Sequence, residues 1–352
     1  ALIYPPAGFA KTDELIELCK VVAEFDGVYI SHLRSEGNSF LEALDEFLTI
    51  LREAKVRGEI YHLKAAGKNN WHKMDQAIEK IEAAQAEGLS VAADMYLYPA
   101  MGTGLRFIVP MWAHDGGVDS LIERLKDPAT RERIKAEMSE PESKWENLWG
   151  GVQSPSDILI AACNDPELRH LNGKSIQELA GERGLDPLDA VLDFIIEDNG
   201  NTSAVFFAMT EENIEKQIKL PWVSFDSDGG SIAPEGVFLN STPHPRTYGN
   251  FARLLGKYVR EQQVIPVQEA IRKLTSFPAD VLHLEGRGQL AAGYKADIVI
   301  FDPDSVQDHA TFANPHQYST GVQDVFVNGT LVLHNGEHTN ARPGQVVTPK
   351  NR

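Results

Sequence analysis

Two histidines thirty positions apart, His32 and His62, each close a short apolar run. An aspartate, Asp228 in Ser227-Asp228-Gly229, follows a third run. The runs are Gly27-Val28-Tyr29-Ile30-Ser31, Glu59-Ile60-Tyr61 and Pro221-Trp222-Val223-Ser224-Phe225. β-formers that end in polar side chains are the pattern of strands that deliver a site at their C-terminal rim. Neutral imidazoles from two adjacent strands can converge on one divalent ion, commonly zinc at about 2.0–2.1 Å per Zn–N bond. A divalent metal lowers the pKa of a bound water from ~15.7 towards ~7, and a carboxylate such as Asp228 can then accept its proton. The alternatives stay open at this level. His32 and His62 can be unrelated rim residues, and an aspartate before glycine often serves as an Asx-turn.

Other groups fall near these three. Lys64 lies two places after His62, so a continuing strand would point it to the same face. Arg246, in Pro243-His244-Pro245-Arg246, follows the Asp228 loop, and Tyr96 ends the segment Asp94-Met95-Tyr96. Cations beside a metal site suit recognition of a substrate carboxylate, which Arg grips bidentately. For Arg246 alone a surface salt bridge is the plainer reading, and for Tyr96 simple packing. His72, His114, His170, His283, His309, His316, His334 and His338 read as structural.

The spacing predicts the elements that would position these groups. Helical periodicity runs through Leu15, Leu18, Val21, Val22 and Phe25, with Asp13 as N-cap. A strand over 27–32 follows. A second helix carries Phe40, Leu44, Phe47, Leu48 and Leu51, then come a strand over 59–63, a helix over 73–87 stopped by Gly88, and a strand over 89–96. Such alternation implies a parallel sheet with right-handed crossovers. Only about four sheet strands can be counted, whereas a closed barrel needs eight. Residues from about 100 to 203 read as a long, mostly helical insertion over the site face. Helices are expected over 247–261 and 266–275. From 284 to 352 the chain turns into short β-segments, with turn signals at Asn328-Gly329 and Asn335-Gly336.

Bulk properties narrow the classes. At 352 residues and 42% hydrophobic the chain can bury a large core. Its net charge of −18 argues against nucleic acid or an anionic membrane surface as partner. Two cysteines far apart, Cys19 and Cys163, argue against a disulfide framework.

Taken together, the segments resemble the N-acyl-D-amino-acid deacylases (D-aminoacylases) of the amidohydrolase superfamily. The likeness rests on Leu2-Ile3-Tyr4-Pro5-Pro6, Ile30-Ser31-His32-Leu33-Arg34-Ser35-Glu36, His62-Leu63-Lys64 and Asp94-Met95-Tyr96. It continues through Pro221-Trp222-Val223-Ser224, Ser227-Asp228-Gly229, His244-Pro245-Arg246 and the tail Gly293-Tyr294-Lys295-Ala296-Asp297. The resemblance implies an α/β fold corresponding to the second half of a (β/α)8 TIM-type barrel, strands five to eight, over residues 1–283. A small β-sandwich-like segment would occupy 284–352.

By the same resemblance His32 and His62 would be zinc ligands, and Asp228 the general acid/base. Tyr4, Lys64, Tyr96 and Arg246 would hold the carboxylate end of a small-molecule substrate. The implied reaction is hydrolysis of the amide in an N-acyl-D-amino acid. A dipeptidase, a cyclic-amide hydrolase or a non-catalytic remnant of the fold are the alternatives. Relatives of this kind carry a His-x-His pair and a cysteine ligand that this chain lacks. One or two zinc ions would therefore meet an incomplete set. The resemblance is to a C-terminal portion, and pairing with a second copy or a missing N-terminal half is expected.

Overall fold

The computed structural model describes residues 1–140 and 143–347. Its first unit alternates helix and strand as the periodicity predicts. Helix α1 (Thr12–Glu24) leads to β1 (Val28–Ser31), α2 (Phe40–Ala54) to β2 (Arg57–Ile60), and α3 (Lys73–Ala86) to β3 (Val91–Met95). Asp13 lies in the first turn of α1, where it complements the helix dipole; Lys11 occupies the cap position. Gly88 adopts φ of +95° after α3, the left-handed conformation that lets a helix stop sharply.

Helix α2 shows why these elements assemble. Phe40, Leu44, Phe47, Leu48 and Leu51 recur at helical spacing and are all buried. They sit so close to β2 that a Cβ on Gly58 would lie 2.6 Å from both Leu51 methyls and 2.8 Å from Phe47 Cζ. Glycine there is a packing requirement. Helix α1 is less complete: Leu15, Ile16 and Val22 meet the core, whereas Leu18, Val21 and Phe25 stay exposed.

The insertion departs from the mostly helical expectation. It contains helices, but also an antiparallel sheet of β4 (Met101–Gly104), β5 (Ile158–Ala162) and β6 (Ser203–Phe206), ordered β4-β6-β5. These strands are short, and β4 carries two glycines, so the charged helices between them dominate the sequence pattern. A helix at Glu211–Ile218 then returns the chain to β7 (Val223–Phe225), which pairs in parallel with β3. The parallel sheet is ordered β1-β2-β3-β7 and remains open, with β1 and β7 as its outer strands.

The expected helix over 247–261 is an α-helix at Arg246–Arg253 that continues as a π-helix at Leu254–Glu261. The next helix, Val267–Leu274, is followed by a further one at Ser276–Val281. The tail forms a single antiparallel sheet, β8 (Ile298–Phe301), β9 (Val322–Val327), β10 (Thr330–His334) and β11 (Glu337–His338). Both expected turns have positive φ at both residues: Asn328 and Gly329, Asn335 and Gly336. The last five positions of the expected 284–352 segment lie outside the described residues. Among the described residues no helix is long and apolar enough to cross a membrane.

Because all four strands of the main sheet run the same way, Ser31, Ile60, Met95 and Phe225 end at one edge. That edge is where an open parallel sheet presents ligand-binding loops. Replacing Gly58 with Ala is expected to cost about 1–3 kcal/mol, the range for forcing a methyl into a filled core. Urea unfolding of the variant against the parent chain measures it.

Candidate active site

The chain leaves each strand abruptly and turns its polar residues towards one another. His32 follows β1 directly and is buried. Its Nδ1–H donates to the Leu33 carbonyl at 2.8 Å, which fixes the tautomer and leaves Nε2 with a free lone pair. Burial, with His62 and Lys64 nearby, pushes its pKa down to about 4, against the pull of Glu36. The ring is therefore neutral at pH 7.

His62 lies two residues beyond β2 with φ of +37°, in the left-handed region that residues other than glycine enter uncommonly. Two hydrogen bonds hold it there. The His62 N–H donates to the Asp94 carboxylate at 2.5 Å, and the Leu63 N–H donates to the Asp94 carbonyl at 2.9 Å. The result is an edge-on contact between the two imidazoles, with ring centroids 4.6 Å apart.

Glu36 closes the triangle. One carboxylate oxygen lies 3.5 Å from His32 Nε2, the other 3.1 Å from His62 Nδ1. Lys64 Nζ is 2.7 Å from Glu36 Oε1 and 2.7 Å from His62 Nδ1. Burial works to raise the Glu36 pKa, but His32, Lys64 and His62 together hold the carboxyl well below the usual carboxylate range. Lys64 is not on a continuing strand as expected, because β2 stops at Ile60. The loop brings it beside His62 instead.

On the far side, Asp228 adopts φ of +41° and its carboxylate meets Arg246 Nη2 at 2.7 Å. The reading of Arg246 as a surface salt bridge is wrong. Its side chain is only 7% exposed and lies over the Tyr96 ring, 4.3 Å from the centroid. Among the described residues, Arg246 Nε and Nη1 and the Tyr96 hydroxyl are buried without hydrogen-bond partners. Tyr4 reaches in from the start of the chain, its hydroxyl 2.8 Å from Thr103 Oγ1. Tyr4, His32, Glu36, His62, Lys64, Tyr96 and Asp228 all line one cavity of about 250 Å³, and Arg246 abuts it through Asp228 and Tyr96.

Supporting residues went unnoticed in the sequence. Glu36 stands four places after His32, a spacing that could have flagged it. Acidic residues inside apolar strands were a second signal. Glu59, Asp94 and Asp226 form a buried acidic group behind His62, and burial raises the pKa of all three. His244 accepts from the Arg246 N–H at 3.1 Å and donates to the Ala100 carbonyl at 2.9 Å, so it orients the start of the arginine's helix. Asn250 ties β3 to β7, accepting from the Leu97 N–H at 2.7 Å and donating to the Asp226 carbonyl. Asp308, from the tail, receives hydrogen bonds from the Tyr98 hydroxyl and Arg253, both at 3.1 Å. Glu146, in the charged insertion, gave no signal. Its carboxylate accepts from Ser35 Oγ and from the N–H groups of Glu36 and Gly37, and so clamps the Glu36 loop.

A sequence model of the amidohydrolase family matches residues 111–333, well over half of the chain. The chain belongs to that family. This amidohydrolase is 32% identical over 98% of its length to a D-aminoacylase of Alcaligenes xylosoxydans xylosoxydans. It is also 32% identical over 98% of its length to an N-acyl-D-aspartate deacylase of the same organism. The fold matches that of the Bordetella bronchiseptica N-acyl-D-glutamate deacylase, solved with zinc and a phosphonate mimic of the tetrahedral intermediate. That match has a TM-score of 0.77 at 29% identity and covers 98% of this amidohydrolase. The chain spans 59%, 58% and 61% of the length of those three proteins respectively.

One electrostatic consequence is measurable. Desolvation and the facing Glu36 push the Glu146 carboxyl up to about 7 from its ordinary 4.5. The folded state thus keeps a proton that the unfolded chain releases. Stability should fall as pH rises between about 4.5 and 7, and be flat in this respect above. Glu146→Gln is expected to lack that part of the slope, as read from denaturation midpoints across the window.

Proposed function

We propose that this chain carries the metal- and substrate-binding face of a zinc-dependent hydrolase of N-acyl-D-amino acids. The observation that carries the reading is one cavity lined by His32, Glu36, His62, Tyr96 and Asp228, with Arg246 held beside it by Asp228 and the Tyr96 ring. His32 Nε2 presents a lone pair there, and among the described residues Arg246 Nε and Nη1 and the Tyr96 hydroxyl are buried donors without hydrogen-bond partners. A donor set of two imidazoles and a carboxylate suits zinc, and His32 and His62 would hold it. When bound, zinc would polarise the scissile carbonyl and make hydroxide available near neutral pH.

The chain's own residues divide the remaining work. Arg246 would offer Nε and Nη1 to a carboxylate, and its guanidinium lies over the ring that carries the Tyr96 hydroxyl. Buried donors without partners cost free energy, so an anionic substrate group that satisfies them gains affinity. Tyr4 and Thr103 line the approach. Lys64 is engaged by Glu36 and His62, so the principal grip on the substrate carboxylate falls to Arg246.

Asp228 lines the same cavity as the histidine pair and is ion-paired to Arg246. Its carboxylate would accept a proton from the attacking water and return it to the leaving amine nitrogen. The ion pair with Arg246 keeps the carboxylate aimed while substrate is bound. The fold in this reading is the later half of a (β/α)8 barrel. The open β1 and β7 edges support pairing with further polypeptide, because unpaired strand edges are templates for it.

Arg246→Ala tests the substrate class. With zinc present, kcat/KM on N-acetyl-D-amino acids should fall by roughly 10- to 150-fold, the worth of one charge-assisted hydrogen bond. A matched neutral amide should lose at least tenfold less. Equal losses on both would point to a different amidohydrolase substrate, and absence of turnover with zinc bound to a non-catalytic chain.

A further inference from the structure

We propose that Glu36 is the third protein ligand of the cation site, and that Lys64 is an internal cation which the metal displaces. The proposal rests on the zinc reading above and concerns residues outside the His32–His62 pair. Its basis is an electrostatic requirement visible in the geometry. Because His32 Nδ1–H is committed to the Leu33 carbonyl, Nε2 presents a lone pair, and it faces a Glu36 oxygen at 3.5 Å. The other Glu36 oxygen faces His62 Nδ1 at 3.1 Å. Nδ1 is itself an acceptor, since the Lys64 ammonium donates to it at 2.7 Å. Two imidazole lone pairs and a carboxylate aimed at one another repel unless a cation lies among them.

The spacing suits a small divalent ion. Two atoms each about 2.0–2.1 Å from a tetrahedral ion lie roughly 3.3–3.4 Å apart. The two observed separations, 3.5 Å from His32 Nε2 to one Glu36 oxygen and 3.1 Å from His62 Nδ1 to the other, are each close to that value. One ligand atom from each of His32, Glu36 and His62 lies within 4.8 Å of the others, and among the described residues no other group of histidine, cysteine and acidic side chains does this.

Lys64 Nζ takes up two of the same three acceptors, at 2.7 Å each, and its side chain is 3% exposed. An ammonium on a four-carbon stem is a point charge that can swing aside, which a guanidinium fork would do less readily. Glu36 by contrast is fixed. Its backbone N–H, that of Gly37 and the Ser35 hydroxyl all donate to Glu146. Outer contacts of this kind orient metal ligands. The carboxylate is thus the constant part of the site and the cation the exchangeable part.

Metal titration decides it, read without any hydrolysis assay. The chain is stripped with chelator, and Zn²⁺ affinity is measured by competition with a chromophoric chelator; Co²⁺ supplies the visible absorption spectrum. Glu36→Gln is expected to weaken Zn²⁺ by at least ~10-fold and to change the Co²⁺ bands. Lys64→Met is expected to tighten Zn²⁺ by ~10-fold, because nothing must be displaced. If Lys64→Met is poorly stable without metal, Zn²⁺ should raise its Tm more than it raises that of the parent chain, since metal replaces the missing charge.

Unchanged Zn²⁺ affinity in Glu36→Gln overturns the ligand assignment. Unchanged or weaker binding in Lys64→Met, with no larger Tm rise, overturns the displacement. Either result with Zn²⁺ bound by the parent chain leaves the zinc reading standing. No Zn²⁺ binding by the parent chain at millimolar metal overturns the zinc reading and this proposal with it.

Discussion

A carboxylate removed from water and set against two imidazoles demands a cation, and the arrangement around Glu36 follows from that demand. Its charge is held by Lys64, its backbone by Glu146, and its neighbours by the ends of two parallel strands. Breaking a buried pair by removing one partner costs several kcal/mol, because the other charge is left stranded. The local sequence is therefore less free than its loop position suggests. Each of these side chains constrains the conformation of the others.

That constraint is only useful if the scaffold is rigid. The inner strands β2 and β3 are buried on both faces, and α2 packs against β2 closely enough to require glycine at position 58. His62 and Asp228 both sit at positive φ, conformations that cost free energy and persist where the surroundings over-determine them. Asp94 supplies that restraint for His62 through its carboxylate. For Asp228 the ion pair with a buried arginine does so. The cavity lining sets the carboxylates of Glu36, Glu146 and Asp228 beside the Lys64 ammonium and the two imidazoles.

Much of this was legible in the chain. The helices and strands up to residue 95 follow from hydrophobic periodicity, and the tail turns follow from Asn-Gly pairs, because both signals are local. His32, His62 and Asp228 were visible as polar stops after apolar runs. What was hidden depends on distance in sequence. Glu146 reaches Glu36 across 110 positions, from a charged stretch that looks like any solvated surface. The insertion's small sheet was obscured by the helices around it. Arg246 read as a surface residue because nothing nearby in sequence announces burial; Tyr96 and Asp228 provide it from elsewhere. The exposed apolar residues of α1 mark the opposite failure, where amphipathic spacing overstates burial in a sheet whose outer strand is β1.

The hydrogen bonds from Tyr98 and Arg253 to Asp308 join the tail to the helix that begins with Arg246. Space there is minimal: a methyl on Gly249 would fall 2.3 Å from the Tyr98 hydroxyl. The terminal β-sheet is thus no passive appendage. Shortening the chain ahead of Asp308 would unbrace the arginine's helix, so integrity of the tail and the placement of the Arg246 guanidinium are mechanically the same property.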